Sequence, residues 1–220
     1  MAANLKLTLI DSVMGGGKST LASYLISKRW SKQYEYGYVV GPTVIDSPPE
    51  WKKLSGLHFR YVYDRKSFQE FMSEFRERVM KMVARSNAEG KSPARGVIVL
   101  EDVIGTVSLS DDIITQFIVG IRHLYLHMYF LSQHPQKVPT ILRSTASEIY
   151  FTYREEINTL KCLWGSYGQI DFAKVRDFGV HLHEVGRQKY VFIKYRRKED
   201  TLKKRYIATM VPSSYITWRR

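Results

Sequence analysis

Along most of this chain, short apolar runs alternate with segments in which apolar residues recur every three or four positions. Residues 5–10 read as a short buried strand, followed by a glycine-rich turn and a helix over residues 18–30 with Leu21, Tyr24 and Leu25 on one face. Residues 36–40 form a second strand closed by Gly41-Pro42, and the stretch to Trp51 holds Pro42, Pro48 and Pro49, which predicts a loop. Residues 58–63 alternate as a third strand. Residues 65–84 then make a long amphipathic helix, with Phe68, Phe71, Met72, Phe75, Val79, Met82 and Val83 spaced by threes and fours. Residues 87–96 are polar, contain Gly90 and Pro93, and predict an exposed loop. Residues 97–100 are continuously apolar, as in a strand covered on both faces. A helix over residues 111–125, capped by Ser110, leads to a strand at 126–131. A short helix around 138–145, a strand at 149–153 and helices over 155–164 and 171–184 follow. Residues 190–195 and 206–211 flank a charged turn and predict a terminal β-hairpin. Strands alternating with helices favour an α/β fold with a mostly parallel central sheet flanked by helices.

Composition narrows the class. The 220 residues, 44% hydrophobic and 25% charged, suit one domain with a sizeable core. The single cysteine, Cys162, excludes an intramolecular disulfide framework and a multi-cysteine zinc site, and points to a reducing, intracellular compartment. No apolar run approaches the roughly 18 residues that span a bilayer, and the N-terminus lacks the form of a signal peptide. The net charge of +13 is concentrated: residues 187–220 carry eleven Lys and Arg against Glu199 and Asp200, a balance of +9. This divides the chain into an expected core, residues 1–186, and a basic hairpin and tail, residues 187–220, packed on the same domain. Such a segment suits a polyanion partner, or else a solvated surface hairpin.

The glycine-rich turn, SVMGGGKST at residues 12–20, carries the sharpest chemistry. It follows the pattern G-x-x-x-x-G-K-[ST] between a strand and a helix, with Ser12 in place of the first glycine. Backbone N–H groups from Met14 through Gly15, Gly16 and Gly17 to Lys18 can curl round a phosphate at the positive end of the helix dipole. Lys18 would reach the β- and γ-phosphates and the Ser19 hydroxyl would ligate Mg²⁺, with Thr20 next to it as a further nucleotide-binding candidate. A nucleoside triphosphate is the expected ligand.

Hydrolysis also needs a carboxylate for the metal and one to activate water. Glu101 and Asp102 end the strand that begins at residue 97, with Glu101 nearer the metal by position and Asp102 the water-activating candidate. The usual order in such ATPases is Asp then Glu, so the division of roles between them stays open. The next strand ends in Ser132-Gln133. Ligands of parallel sheets lie at the carboxyl ends of strands, so Gln133 is a candidate γ-phosphate sensor.

The stretch from Leu131 to Tyr153, with Ser132-Gln133, Pro139, Ile141, Arg143 and the apolar residues 149–151, resembles the FtsK/HerA-type genome-packaging ATPases, especially the poxvirus-like branch. The phosphate loop, Ser47-Pro48 after the second strand, and a terminal hairpin with Arg196-Arg197 are similar too. The resemblance implies a RecA-like P-loop NTPase core with a C-terminal β-hairpin extension. It also implies a ring of five or six subunits and ATP-driven translocation of double-stranded DNA into a capsid, with a capsid vertex protein as a further partner. The setting it implies is the host cytoplasm during infection, or the virion. Family rings use an arginine from a neighbouring subunit; Arg143 is the first candidate, with Arg122 and Arg154 behind it. Three other classes remain: a P-loop nucleoside or nucleotide kinase, a filamentous-phage-type assembly ATPase, and a non-catalytic nucleotide- and DNA-binding module. His181 and His183 read as surface or partly buried histidines and Cys162 as a packed thiol.

Overall fold

The computed structural model describes residues 7–30, 32–44, 49–51, 54–105, 112–121, 123–186, 188, 190–197, 199, 201–212 and 214. Leu5, the Ser47-Pro48 segment, the expected cap Ser110, Arg122, Arg187 and the last six residues lie outside them. Eight strands form one sheet: β1 (Leu7–Asp11), β2 (Tyr36–Gly41), β3 (Leu57–Tyr61), β4 (Gly96–Glu101), β5 (Leu126–Ser132), β6 (Glu148–Phe151), β7 (Val191–Tyr195) and β8 (Tyr206–Met210). Their order is β3-β2-β4-β5-β1-β6-β7-β8. The first six are parallel, whereas β7 runs antiparallel to β6 and β8 antiparallel to β7.

Period-two alternation sorts the strand side chains onto two faces. One face presents Leu9, Leu100, Phe130, Phe151 and Ile193 to α2 (Arg65–Ala88), α3 (Asp112–Gly120), α5 (Ile157–Leu163) and α6 (Val175–Gly186). The other presents Ile10, Val99, Leu131, Tyr150 and Phe192 to α1 (Lys18–Ser27) and to Trp51 and Leu54. Coverage on both faces explains why β1, β4 and β5 are buried throughout.

Some boundaries differ from those expected. α2 continues to Ala88; Gly90, at φ 66, then turns the chain, and Lys91 N donates back to Ser86 O at 2.9 Å to close the last turn. α6 starts at Val175 rather than at residue 171, since Asp171 is taken up by Arg205 and the Tyr206 hydroxyl. After Leu163, α5 passes into a π-helical turn, Trp164–Gly168. The short helix expected around residues 138–145 is α4 (Thr140–Thr145), preceded by a 3-10 turn at Pro135–Lys137. The charged turn between β7 and β8 contains one helical turn, α7 (Leu202–Arg205).

Candidate nucleotide site

Strand order builds the site. β5 lies between β1 and β4, so the chain leaving β5 separates the glycine-rich loop after β1 from the carboxylates ending β4. The loop is anchored from both neighbouring strands: Ser12 N donates to Ser132 O at 3.0 Å, and Thr152 N to Asp11 O at 3.1 Å. The Thr152 hydroxyl donates to Ser12 Oγ at 3.1 Å. Ser12 is fully buried and does not adopt a positive φ; that conformation falls on Gly15 and Gly17. Serine therefore stands at the first motif position without the left-handed backbone that would disfavour it. Gly17, at φ 88, turns the loop into α1. Gly16 is required by space, because a Cβ there would collide with Ser12 Oγ. Val13, Met14 and Gly15 form the exposed tip, and Ser19 and Thr20 sit half-buried on the first turn of α1.

Three strand-end groups, Glu101, Asp102 and Gln133, meet the first turn of α1 below this loop. Lys18 is buried, with Nζ 3.7 Å from Asp102 Oδ2. Gln133 Nε2 donates to the same oxygen at 2.7 Å. The Ser19 hydroxyl donates to Glu101 Oε1, and the indole of Trp51 donates to Glu101 Oε2 at 3.3 Å. Asp102 has φ 52, a left-handed conformation that Asp tolerates better than most residues, and its N–H donates to Leu131 O at 3.2 Å. This kink sets Glu101 toward the hydroxyl of α1 and Asp102 toward the lysine and Gln133.

Electrostatics follow from burial. Desolvation pushes the Glu101 carboxyl up to about 7, reinforced by Glu50 and Asp102 and opposed by the hydrogen bonds from Ser19 and Trp51. Asp11, at the end of β1, is likewise raised to about 7 by burial, against the pull of Arg154, Ser132 and Lys18. The donor set around Ser19 is oxygen only, and Asp102 Oδ1 is buried without a hydrogen-bond partner. Hydroxyl and carboxylate oxygens of this kind fit Mg²⁺, which is held by one or two carboxylates together with phosphates rather than by a protein cage. Among the described residues there is no cluster of three or more His, Cys, Asp or Glu placed to bind a metal.

The three candidate arginines separate. Arg154 is only 9% exposed and lies inside its own subunit: one guanidinium nitrogen donates to Asp11 Oδ2 at 2.9 Å and the other to Gln133 O at 2.7 Å. That geometry ties the phosphate-loop strand to the sensor strand and does not offer the group to a neighbour. Arg143, on α4, is half-buried and donates to Pro135 O at 2.8 Å and to Thr140 Oγ1 at 3.3 Å, so it is not drawn to the phosphate loop of its own chain. Arg122 lies outside the described residues. Trp51 and Thr152 are site residues to which no sequence motif points. Thr152 follows a strand end, a signal that could have found it, whereas nothing in a proline-rich loop marks Trp51. Elsewhere, His181 packs against Phe172 and Tyr206 while His183 meets Tyr153, so the two rings do not form a site.

No family model matches the sequence, and no curated protein is similar to it at a significant level. Solved structures do share its fold. The genome packaging NTPase B204 from Sulfolobus turreted icosahedral virus 2, in complex with ATP-gammaS, superposes with a TM-score of 0.64 at 14% identity, covering 94% of this chain and 98% of B204. The pCW3 conjugation coupling protein TcpA gives a TM-score of 0.63 at 11% identity, over 94% of this chain and 60% of TcpA. The Type VII secretion ATPase EccC of Thermomonospora curvata gives 0.65 at 12% identity, over 97% of this chain and 26% of the EccC cytoplasmic domain. The mostly parallel α/β fold expected from the sequence, here an eight-stranded sheet, is shared with these structures, so the resemblance stated from the sequence is met at the level of the fold.

Proposed function

We propose that this chain is an ATP-hydrolysing motor that moves double-stranded DNA into a capsid during virion assembly. The observation that carries the proposal is the meeting of Lys18, Asp102 and Gln133 under a phosphate loop, at the carboxyl edge of a parallel sheet. In this reading the triphosphate lies along residues 14–20, and Lys18 neutralises charge on the β- and γ-phosphates. Ser19 and Glu101 would hold Mg²⁺, which when bound would neutralise further phosphate charge. Asp102 accepts the proton of the attacking water, and Gln133 orients that water and registers the γ-phosphate. Arg143, on a half-exposed helix, is the proposed contribution of a neighbouring subunit, in a ring of five or six acting at a capsid vertex in the host cytoplasm. The exposed Arg196, Lys203 and Lys204 of the terminal turn are the proposed contact with DNA phosphates. The match to B204, whose solved complexes include ATP-gammaS and AMP, supports the nucleotide and the packaging role.

The test is ATP hydrolysis measured with and without double-stranded DNA. The wild-type chain should turn over ATP faster with DNA, and Lys18→Ala should lose about a hundred-fold or more, as expected when a preorganised positive charge is removed. Phosphate transfer to a nucleoside without a DNA effect would instead identify a kinase, and no turnover under any condition would identify a binding module.

A further inference from the structure

β7 runs antiparallel to β6, with Ile193 opposite Phe151. The chain therefore enters β7 at the edge where the parallel strands end, which is also the edge of the phosphate loop. Tyr190 is the residue before that entry. Its ring lies against the loop: a Cβ on Gly17 would stand 3.1 Å from Tyr190 Cδ1 and 3.6 Å from Cε1, with Phe192 Cε2 at 3.9 Å behind. Tyr190 has φ 63, a left-handed conformation that is unfavourable for an aromatic residue. Its carbonyl accepts from Val211 N at 3.4 Å, across the end of the β7–β8 ladder. Strain of this kind persists where the surrounding structure enforces it, and it concentrates at ligand sites.

Direction along the loop gives this ring a use. Glu101, Asp102 and Gln133 all lie on the β4–β5 side of β1, whereas Tyr190 lies on the β6–β7 side. A triphosphate whose γ-phosphate meets Lys18, Asp102 and Gln133 must carry its nucleoside the other way, past Gly17. On that side the half-buried ring of Tyr190 borders the loop.

We propose that Tyr190 is the stacking platform for the nucleobase of the bound triphosphate, which makes it a binding and specificity residue of the site. The inference rests on the nucleotide reading above and adds the subsite that the motif does not name. A π-face reads ring area rather than exocyclic groups, so the site should favour purine over pyrimidine triphosphates and discriminate little between ATP and GTP.

The experiment compares binding of ATP-gammaS and of inorganic tripolyphosphate to the full chain by calorimetry. It uses wild type, Tyr190→Ala, Tyr190→Phe and Tyr190→Leu, with thermal melts confirming that each is folded. Tyr190→Ala should weaken ATP-gammaS about ten-fold or more, the range of one base–aromatic stack, and leave tripolyphosphate within about two-fold. Tyr190→Phe should keep wild-type affinity. Tyr190→Leu, which keeps bulk against Gly17 but has no π-face, should behave as alanine. Equal losses for both ligands would show that the ring only buttresses the loop, and unchanged ATP-gammaS affinity in Tyr190→Ala would place the base elsewhere; either result overturns the proposal. If wild type binds tripolyphosphate in a Lys18-dependent way while Tyr190 has no effect, only the base subsite fails. If wild type binds neither ligand, the nucleotide reading fails with it.

Discussion

Glu101 is the residue at which burial and chemistry pull in opposite directions. Its carboxyl, raised to about 7, is largely protonated at pH 6 and ionised at pH 8, yet its proposed role of holding Mg²⁺ needs the ionised form. Binding below pH 7 must therefore release a proton, and Mg·ATP affinity should rise about ten-fold between pH 6 and pH 8 through this residue alone. Calorimetric titrations at the two pH values check this. Glu101→Gln cannot titrate and should remove that share of the pH dependence, leaving only the part that belongs to the nucleotide. The same shift acts on folding with the opposite sign. Between pH 4.5 and about 7 the folded state holds the Glu101 proton more tightly than the unfolded chain, so this group's contribution to stability falls as pH rises through that window and is constant above it.

Among the elements, the ends of β1, β5 and β6 are joined by one buried ion pair. Arg154, three residues beyond β6, binds Asp11 of β1 and the main chain of Gln133 after β5. Removing one member of such a pair leaves the other charge buried and unpaired, a cost of about 3–5 kcal/mol. Arg154→Met should lose up to about that much in urea denaturation at pH 8, where Asp11 is mostly ionised in the wild type and the variant removes its counter-charge. It should lose less at pH 5, where Asp11, raised to about 7 by burial, is already protonated in the wild type and has no charge to leave unpaired. Asp11→Asn combined with Arg154→Met should recover part of the loss. A penalty independent of pH would mean that the guanidinium contributes by packing and not through its charge.

At the scale of the whole molecule, the basic C-terminal segment divides into structural and solvent-facing charge. Arg205 is buried against Asp171 and the Glu199 carbonyl, Arg197 caps the carboxyl end of α4 through Arg143 O and Ser144 O, and Lys194 pairs with Glu148. β7 and β8 also supply Phe192, Ile193, Tyr195 and Tyr206 to the core, so deleting everything after Gly186 would expose the sheet and unfold the chain. Lys203 and Lys204 are exposed and can be changed without that damage. Lys203→Ala with Lys204→Ala should leave the melting temperature unchanged and weaken DNA binding. The slope of log affinity against log salt should fall by about two, one for each lost phosphate contact. An unchanged slope in a filter-binding titration would remove these lysines from the DNA contact.

Spacing within short stretches carried much of this protein into view. The apolar runs of β1, β4 and β5, the helical period of α2, and the order Gly17-Lys18-Ser19 are each set by neighbouring residues, because backbone geometry repeats over two or four positions. The helix start bearing Lys18 and the strand ends bearing Glu101, Asp102 and Gln133 were legible for the same reason. What spacing could not contain was the order of strands. Insertion of β5 between β1 and β4 puts Gln133 on Asp102, and the antiparallel entry of β7 brings Tyr190 to Gly17 across more than 170 residues. Arg154 reads in the sequence as a candidate for a neighbouring subunit, or else as a surface cation beside Glu155 and Glu156; the closure of β6 on β1 turns it inward to Asp11. The sequence by itself determined the elements and the chemical groups at their ends. The tertiary structure decided which of those groups meet, because a contact between distant segments is fixed only when the sheet packs on both faces and its strand order is set.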